Sequence, residues 1–184
     1  MKEGPGQKKI TIQADPQLFG RQVDELLSSI PLELSGEETA SVLQKCKWIL
    51  IELITNGYKH SGDADTTISM EFVTNGLEII KEDCGCPLQL VLHDGESLHW
   101  PLHPRDHNRN ACILKEELNE LYLNINQDGV ASFTMAALPE NEPYNLDNLN
   151  EHFGFIIITR LCHSFTYVFE ASTGKNIFKA VLSY

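Results

Sequence analysis

Three turn signatures, each set between runs that alternate apolar and polar residues, constrain this chain more than any other feature. Thr74-Asn75-Gly76 separates residues 66–73 from residues 77–82, and Gln127-Asp128-Gly129 separates residues 122–126 from 130–136. Ser172-Thr173-Gly174 separates residues 164–170 from 176–183. Asn-Gly and Asp-Gly suit the tight turns whose twist matches that of flanking strands. A short Gly-containing connection between two strand-like runs reads the same way for the third, so each triplet predicts a β-hairpin. Hairpins commit much of the chain to antiparallel pairing. A sheet made this way must bury at least one face, and the rest of the chain has to supply the cover.

Helical periodicity supplies that cover. Residues 9–14 alternate and read as a strand, after which Asp15 and Pro16 look like a helix start, with Asp as cap and Pro in the first turn. Leu18, Phe19, Val23, Leu26, Leu27 and Ile30 then recur near a 3.6-residue period, and Pro31 ends the run. Ser35 and Glu38 form a capping-box pattern for a second helix over residues 37–60. Residues 83–107, rich in His, Pro, Gly and Cys, read as loop, and so do residues 139–150. Residues 111–121 read as a helix, and residues 155–162, preceded by Gly154, as another. The order β-α-α-β-β, an insertion over about 88–150, then α-β-β predicts an α/β two-layer sandwich (α+β). It has a mixed sheet, helices on one face and an inserted helix-hairpin.

Length and charge narrow the function. At ~150 residues per domain, 184 residues make one domain over 9–184, with a polar, disordered N-terminus over 1–8. Acidic residues outnumber basic ones 26 to 14, a formal net charge of −12. That field repels phosphate backbones and anionic membranes, so neither nucleic acid nor a membrane is an expected partner. A nucleotide can still bind where a dipole or a metal ion offsets its charge. Five cysteines, an odd number, do not form a disulfide framework, and no run reaches the ~18 apolar residues of a spanning helix. The expectation is a cytoplasmic protein.

Two segments carry chemistry. In Glu52-Leu-Ile-Thr-Asn56-Gly-Tyr-Lys59-His60, Glu52 and Asn56 share one helix face, with Lys59 or His60 one turn further on. Glu can accept a proton, the Asn oxygen can coordinate Mg²⁺, and Lys or His can meet phosphate. In Asp83-Cys-Gly85-Cys-Pro87, a carboxylate at a strand end precedes a glycine that lets a flat ring approach the backbone. Asp83 can accept a hydrogen bond from an exocyclic amine such as that of adenine. Each pattern alone is ordinary: a solvated helix face and a turn.

Taken together and in order, the two segments resemble the N-box and G1 box of the Bergerat-fold (GHKL) ATPases, the superfamily of gyrase, histidine kinases and MutL. His152-Phe-Gly154-Phe-Ile stands where that family has its glycine-rich G2 box, and residues 165–181 look like its closing strands. The likeness covers about residues 9–87 and 151–184. Within the superfamily the opening strand and helix are most similar to the anti-sigma factor serine kinases. The resemblance implies ATP or ADP with Mg²⁺ as cofactors and phosphoryl transfer to a partner protein, a sigma factor or antagonist-like regulator, and leaves room for a homodimer. It makes Glu52 the general base and gives Asn56 the Mg²⁺. Lys59 or His60 meets phosphate, Asp83 reads adenine, and Gly85 and Gly154 allow backbone approach. Pro87 replaces the second G1 glycine, and His152 and Phe153 stand where small residues would wrap phosphates. The alternative implied is a degenerate, non-catalytic module that works through protein–protein interaction.

Other candidates have plainer readings. His93, His99, His103 and His107 near Cys84, Cys86 and Cys112 suggest zinc, but Pro101 and Pro104 break any helical alignment. Cys84-Gly-Cys86 also lacks the two-residue spacer of zinc knuckles, so a solvated loop is the plainer account. Trp48 and Trp100 are expected to pack in the core, and Cys46 and Cys162 to be buried and inert.

Overall fold

The computed structural model describes residues 7–12, 15, 17–28, 30, 36–60, 62, 65–73, 76–116, 119–136 and 153–183. Strand β1 (Gln7–Ile12) leads into helices α1 (Phe19–Leu27) and α2 (Gly36–His60), then strands β2 (Thr66–Val73) and β3 (Gly76–Asp83). Two short strands, β4 (Gln89–Val91) and β5 (Ser97–His99), pair with each other. After a 3-10 turn at Pro104–Asp106 come β6 (Arg109–Glu116), β7 (Asn119–Ile125) and β8 (Ala131–Met135). Helix α3 (Phe153–Leu161) and strands β9 (Ser164–Glu170) and β10 (Lys175–Ser183) complete the described elements.

All strands except β4 and β5 join one eight-stranded sheet in the order β1-β2-β3-β10-β9-β8-β7-β6. The three expected hairpins are there: β2 with β3, β7 with β8, and β9 with β10. The expected mixed sheet is not, because every pairing in it among the described residues is antiparallel. Where the chain leaves the sheet at β1, it returns through two helices rather than one. A single crossover helix would bring the next strand back parallel, whereas a pair returns β2 antiparallel beside β1.

The insertion also differs from expectation. Residues 111–121 form most of β6 and the start of β7, paired antiparallel, so no inserted helix stands there. Leu121, Leu123 and Ile125 of β7 are buried, and β7 is bonded on its other side by β8. The helix-forming Lys, Glu and Leu residues of this stretch are overridden by that pairing, which buries an apolar row no isolated helix could cover. Within the expected loop over 83–107 the β4–β5 hairpin places Leu90, Leu98 and Trp100 in the core. Strand β1 begins at Gln7, inside the segment expected to be disordered, while residues 1–6 and the Ser35 cap lie outside the described residues. So do the loop expected over 139–150 and His152.

One sheet face carries the cover. Lys81, Phe178, Tyr167 and Ala131 lie in a single cross-strand row, with Ile79, Ala180, Phe165 and Phe133 in the row beside it. Helix α2 meets the first row at Gly57, and α3 meets the second through Phe155, whose ring stacks 4.9 Å from Phe133. Phe155 also lies against Phe165 and Phe178, and each such aromatic pair is worth about 0.5–1.5 kcal/mol beyond its buried area. Helix α1 packs on α2, with the Tyr58 hydroxyl donating to Gln22 at 2.8 Å and Phe19 edge-on to the Tyr58 ring. The β4–β5 hairpin covers the next part of the face, its Trp100 ring edge-on to Tyr167 at 5.2 Å. The described residues thus form an α+β fold of one large antiparallel sheet and three helices, compatible with a two-layer sandwich.

Candidate functional site

The 25 residues of α2 are long enough to carry a polar stripe beside an apolar one. Ile49, Leu50, Leu53 and Ile54 are buried, while Glu52 and Asn56, one turn apart, are half-buried on a neighbouring face. That face meets the first turn of α3. A methyl group placed on Gly154 would lie 2.7 Å from Glu52 Oε2 and 3.6 Å from Asn56 Nδ2. The expected helix start after Gly154 is shifted: α3 begins at Phe153, so Gly154 sits within its first turn. The free amides of a helix N-terminus favour an anion, and the Glu52 carboxylate and Asn56 carboxamide lie beside Gly154 in that first turn. Burial raises the Glu52 carboxyl above the ordinary carboxylate range, partly offset by the charge of Lys59. A carboxylate made more basic in this way is better suited to take a proton near neutral pH. Lys59 and His60 are exposed at the end of α2.

A second polar group lies at the end of β3. Thr66, Asp83 and Asn176 are opposite one another on β2, β3 and β10, and all three are buried. Asp83 Oδ1 accepts from the Gly85 amide at 2.9 Å and from Asn176 Nδ2 at 2.8 Å, while Oδ2 accepts from Lys81. Lys81 itself is 2% exposed, with its ammonium 4.9 Å from the centre of the Phe178 ring. Burial would raise the Asp83 carboxyl, but the Lys81 charge and its hydrogen bond, with those from Asn176 and Gly85, hold it below the ordinary range. The network continues outward. Asn176 Oδ1 accepts from the Tyr167 hydroxyl at 2.7 Å, and that oxygen accepts from the Leu88 amide at 3.1 Å.

Gly57 ties the two groups together. It follows Asn56 on α2, and a methyl placed there would lie 3.2 Å from Thr66 Cγ2 and 3.4 Å from Lys81 Cε. A side chain at this position would require the Thr66 and Lys81 side chains to give by a few tenths of an ångström, so the glycine suits the close approach of the Glu52–Asn56 face to the Asp83 end of β3. The structure therefore brings Glu52, Asn56 and Gly154 into one group, and Asp83 and Gly85 into the adjoining one.

Sequence reasoning missed Lys81, Asn176, Tyr167 and Gly57. The signal for Lys81 was present. In β3 the period of two puts Lys81 and Asp83 on the face of Leu77 and Ile79, a cation and an anion at positions patterned as core. Asn176 shares its face with Ala180 and Leu182 in the same way. Trp48 is 47% exposed and so is not a core residue, whereas Trp100 is buried. Cys46 is buried, Cys162 is half-buried, and burial pushes each thiol up to about 12. Of the histidine-rich stretch, His99 is exposed on β5, His103 accepts from the Arg105 amide, and His107 bonds the Gln127 carbonyl at 2.8 Å. Among the described residues no three His, Cys, Asp or Glu side chains come together as a metal site. None of the helices described is long and apolar enough to cross a membrane.

The described fold defines a class: an α+β protein whose polar site lies between two helices and one end of an antiparallel sheet. Compared with known proteins, no protein-family model matches the chain, and no curated protein matches it either.

Proposed function

We propose that the chain is a Bergerat-type nucleotide-binding regulatory protein that takes ATP or ADP with Mg²⁺ between α2 and the first turn of α3. The observation that carries the reading is the meeting of Glu52 and Asn56 with Gly154. In this reading the α3 amides receive the phosphates, Asn56 holds Mg²⁺ by its side-chain oxygen, and Lys59 or His60 adds positive charge. Glu52, made more basic by burial, removes the proton of a hydroxyl on a partner protein as the terminal phosphoryl group leaves ATP for it. An anti-sigma-factor-like serine/threonine kinase is the nearest activity.

Asp83 fits the base end in a limited way. A carboxylate has roughly four acceptor positions. Gly85, Asn176 and Lys81 take three of them, which leaves one on Oδ2 for an exocyclic amine. That one open position belongs to a carboxylate only 5% exposed, which favours the second reading, in which the fold no longer takes the base and docks a regulatory protein.

Calorimetric titration with ATP and ADP, with and without Mg²⁺, tests the first reading. Saturable, Mg²⁺-dependent binding that Asn56→Ala weakens supports it; no heat at millimolar nucleotide overturns it in favour of the docking module. Glu52→Ala separates binding from turnover. It should abolish phosphoryl transfer and leave nucleotide affinity within a few-fold, and an unchanged rate would remove Glu52 as the base.

A further inference from the structure

We propose that Cys84 and Cys86 form a reactive dithiol site that takes low-molecular-weight disulfides and closes to a Cys84–Cys86 disulfide. These are the two exposed cysteines of the five; Cys46 is in the core, and Cys112 and Cys162 are half-buried. One glycine separates them, and the chain bends at Gly85 and Cys86. Two peptide steps span at most about 7 Å when fully extended, so chain geometry alone keeps the two Cα atoms close to the ~4.4–6.8 Å range of separations that a disulfide bridges. The Gly at the centre carries no side chain to crowd so small a ring.

The backbone of this loop is held from its inner side. Asp83 Oδ1 accepts from the Gly85 amide, and Asn176 Nδ2 reaches the carbonyl oxygens of Gly85 at 3.2 Å and Cys86 at 3.4 Å. With its polar groups held inward by β3 and β10, the loop presents both thiols outward. Neither belongs to a metal cluster of the described residues, and the nucleotide reading gives neither a role. The other three thiols are disfavoured. Burial raises Cys46 and Cys162 to about 12 each and raises Cys112 as well, and the Cys112 thiol is spent on the Leu114 carbonyl at 3.4 Å.

The chemistry balances without a metal. One thiol loses its proton to solvent and attacks a sulfur of the small disulfide, whose S–S bond breaks and releases one thiolate that takes up a proton. The second cysteine, deprotonated in turn, attacks the sulfur of the first and expels the remaining thiol. Two protein thiols are oxidised to a disulfide, and one small disulfide is reduced to two thiols.

The test uses the full chain and oxidised glutathione under native conditions, followed by alkylation and mass analysis of the peptide holding both residues. The expected product is that peptide lighter by two hydrogens, with no glutathione attached. Cys84→Ser and Cys86→Ser, which alter exposed positions, should each keep glutathione as a stable mixed disulfide because the resolving thiol is gone. Persistent glutathione on the wild type, a bridge between two copies, or no reaction at either residue would each overturn the proposal.

Discussion

Glu52 is where stability and the proposed chemistry oppose each other. Its carboxyl is raised by burial in the folded state, so the folded protein binds that proton more tightly than the unfolded chain does. The contribution is fully present below the unfolded value, ~4.3 for Glu, and is lost as pH rises through the folded value. Glu52→Gln removes the buried charge and should raise the melting temperature at pH 7. The gain should vanish near pH 4, and equal shifts at both pH values would refute the burial argument. Asp83 has the reverse sign. Its carboxyl is held low, so its contribution exists above ~3.9 and is lost as pH falls through the folded value. Removing Lys81 leaves that carboxylate buried without its cation, and breaking such a pair costs about 3–5 kcal/mol. Lys81→Met should therefore lower the urea midpoint strongly at pH 7 and much less at acid pH, where Asp83 is neutral. A midpoint that moves equally at both would mean that packing on Phe178, rather than charge, gives Lys81 its role.

At the scale of elements, the β2–β3 hairpin joins the rest of the sheet through β10, and Gly76 marks the closest contact. A methyl group there would come within 2.5 Å of the Leu182 carbonyl oxygen, which is backbone and cannot swing aside. Gly76→Ala should cost about 1–3 kcal/mol in a denaturation experiment, the usual penalty for overpacking. A change of a few tenths would mean that β10 can give way. Gly76 belongs to one of the three turn signals, and such signals are local, which is why the hairpins are legible in the sequence. Residues 111–121 are not legible in that way, because their fate depends on neighbours far along the chain: Leu121 and Leu123 face strand β8, which carries Phe133. The candidate site divides on the same line. Glu52 with Asn56, and Asp83 with Gly85, could be placed from local spacing, since one helix face or one turn holds each pair. Lys81 was legible in the same way, two residues before Asp83 on one strand face, but Asn176 was not, since it takes the pairing of β3 with β10 to put it beside that carboxylate.

The whole molecule carries a net charge of −12, and a triphosphate would approach it against that field. The proposed site offsets the repulsion only locally, through the α3 amides, Lys59 or His60, and a metal ion. Binding should therefore depend on Mg²⁺ far more than it would on a basic protein, and added monovalent salt should strengthen association or leave it unchanged, by screening the general field. Thermal unfolding reads this without assuming turnover. A ligand bound only by the folded state stabilises it by about 2.7 kcal/mol at a hundredfold excess over Kd. For Mg²⁺-ATP the melting temperature should rise in the wild type and in Glu52→Gln, and rise much less in Asn56→Ala. Asp83→Asn is a poor sole control, since it strands the Lys81 charge and lowers stability whether or not a base binds there. Its own baseline has to be subtracted before its shift is compared. If salt weakens the shift as steeply as it weakens contacts to a basic groove, the ligand is not being held by the helix end and the metal. The site between α2 and α3 would then have to be assigned to a partner protein instead.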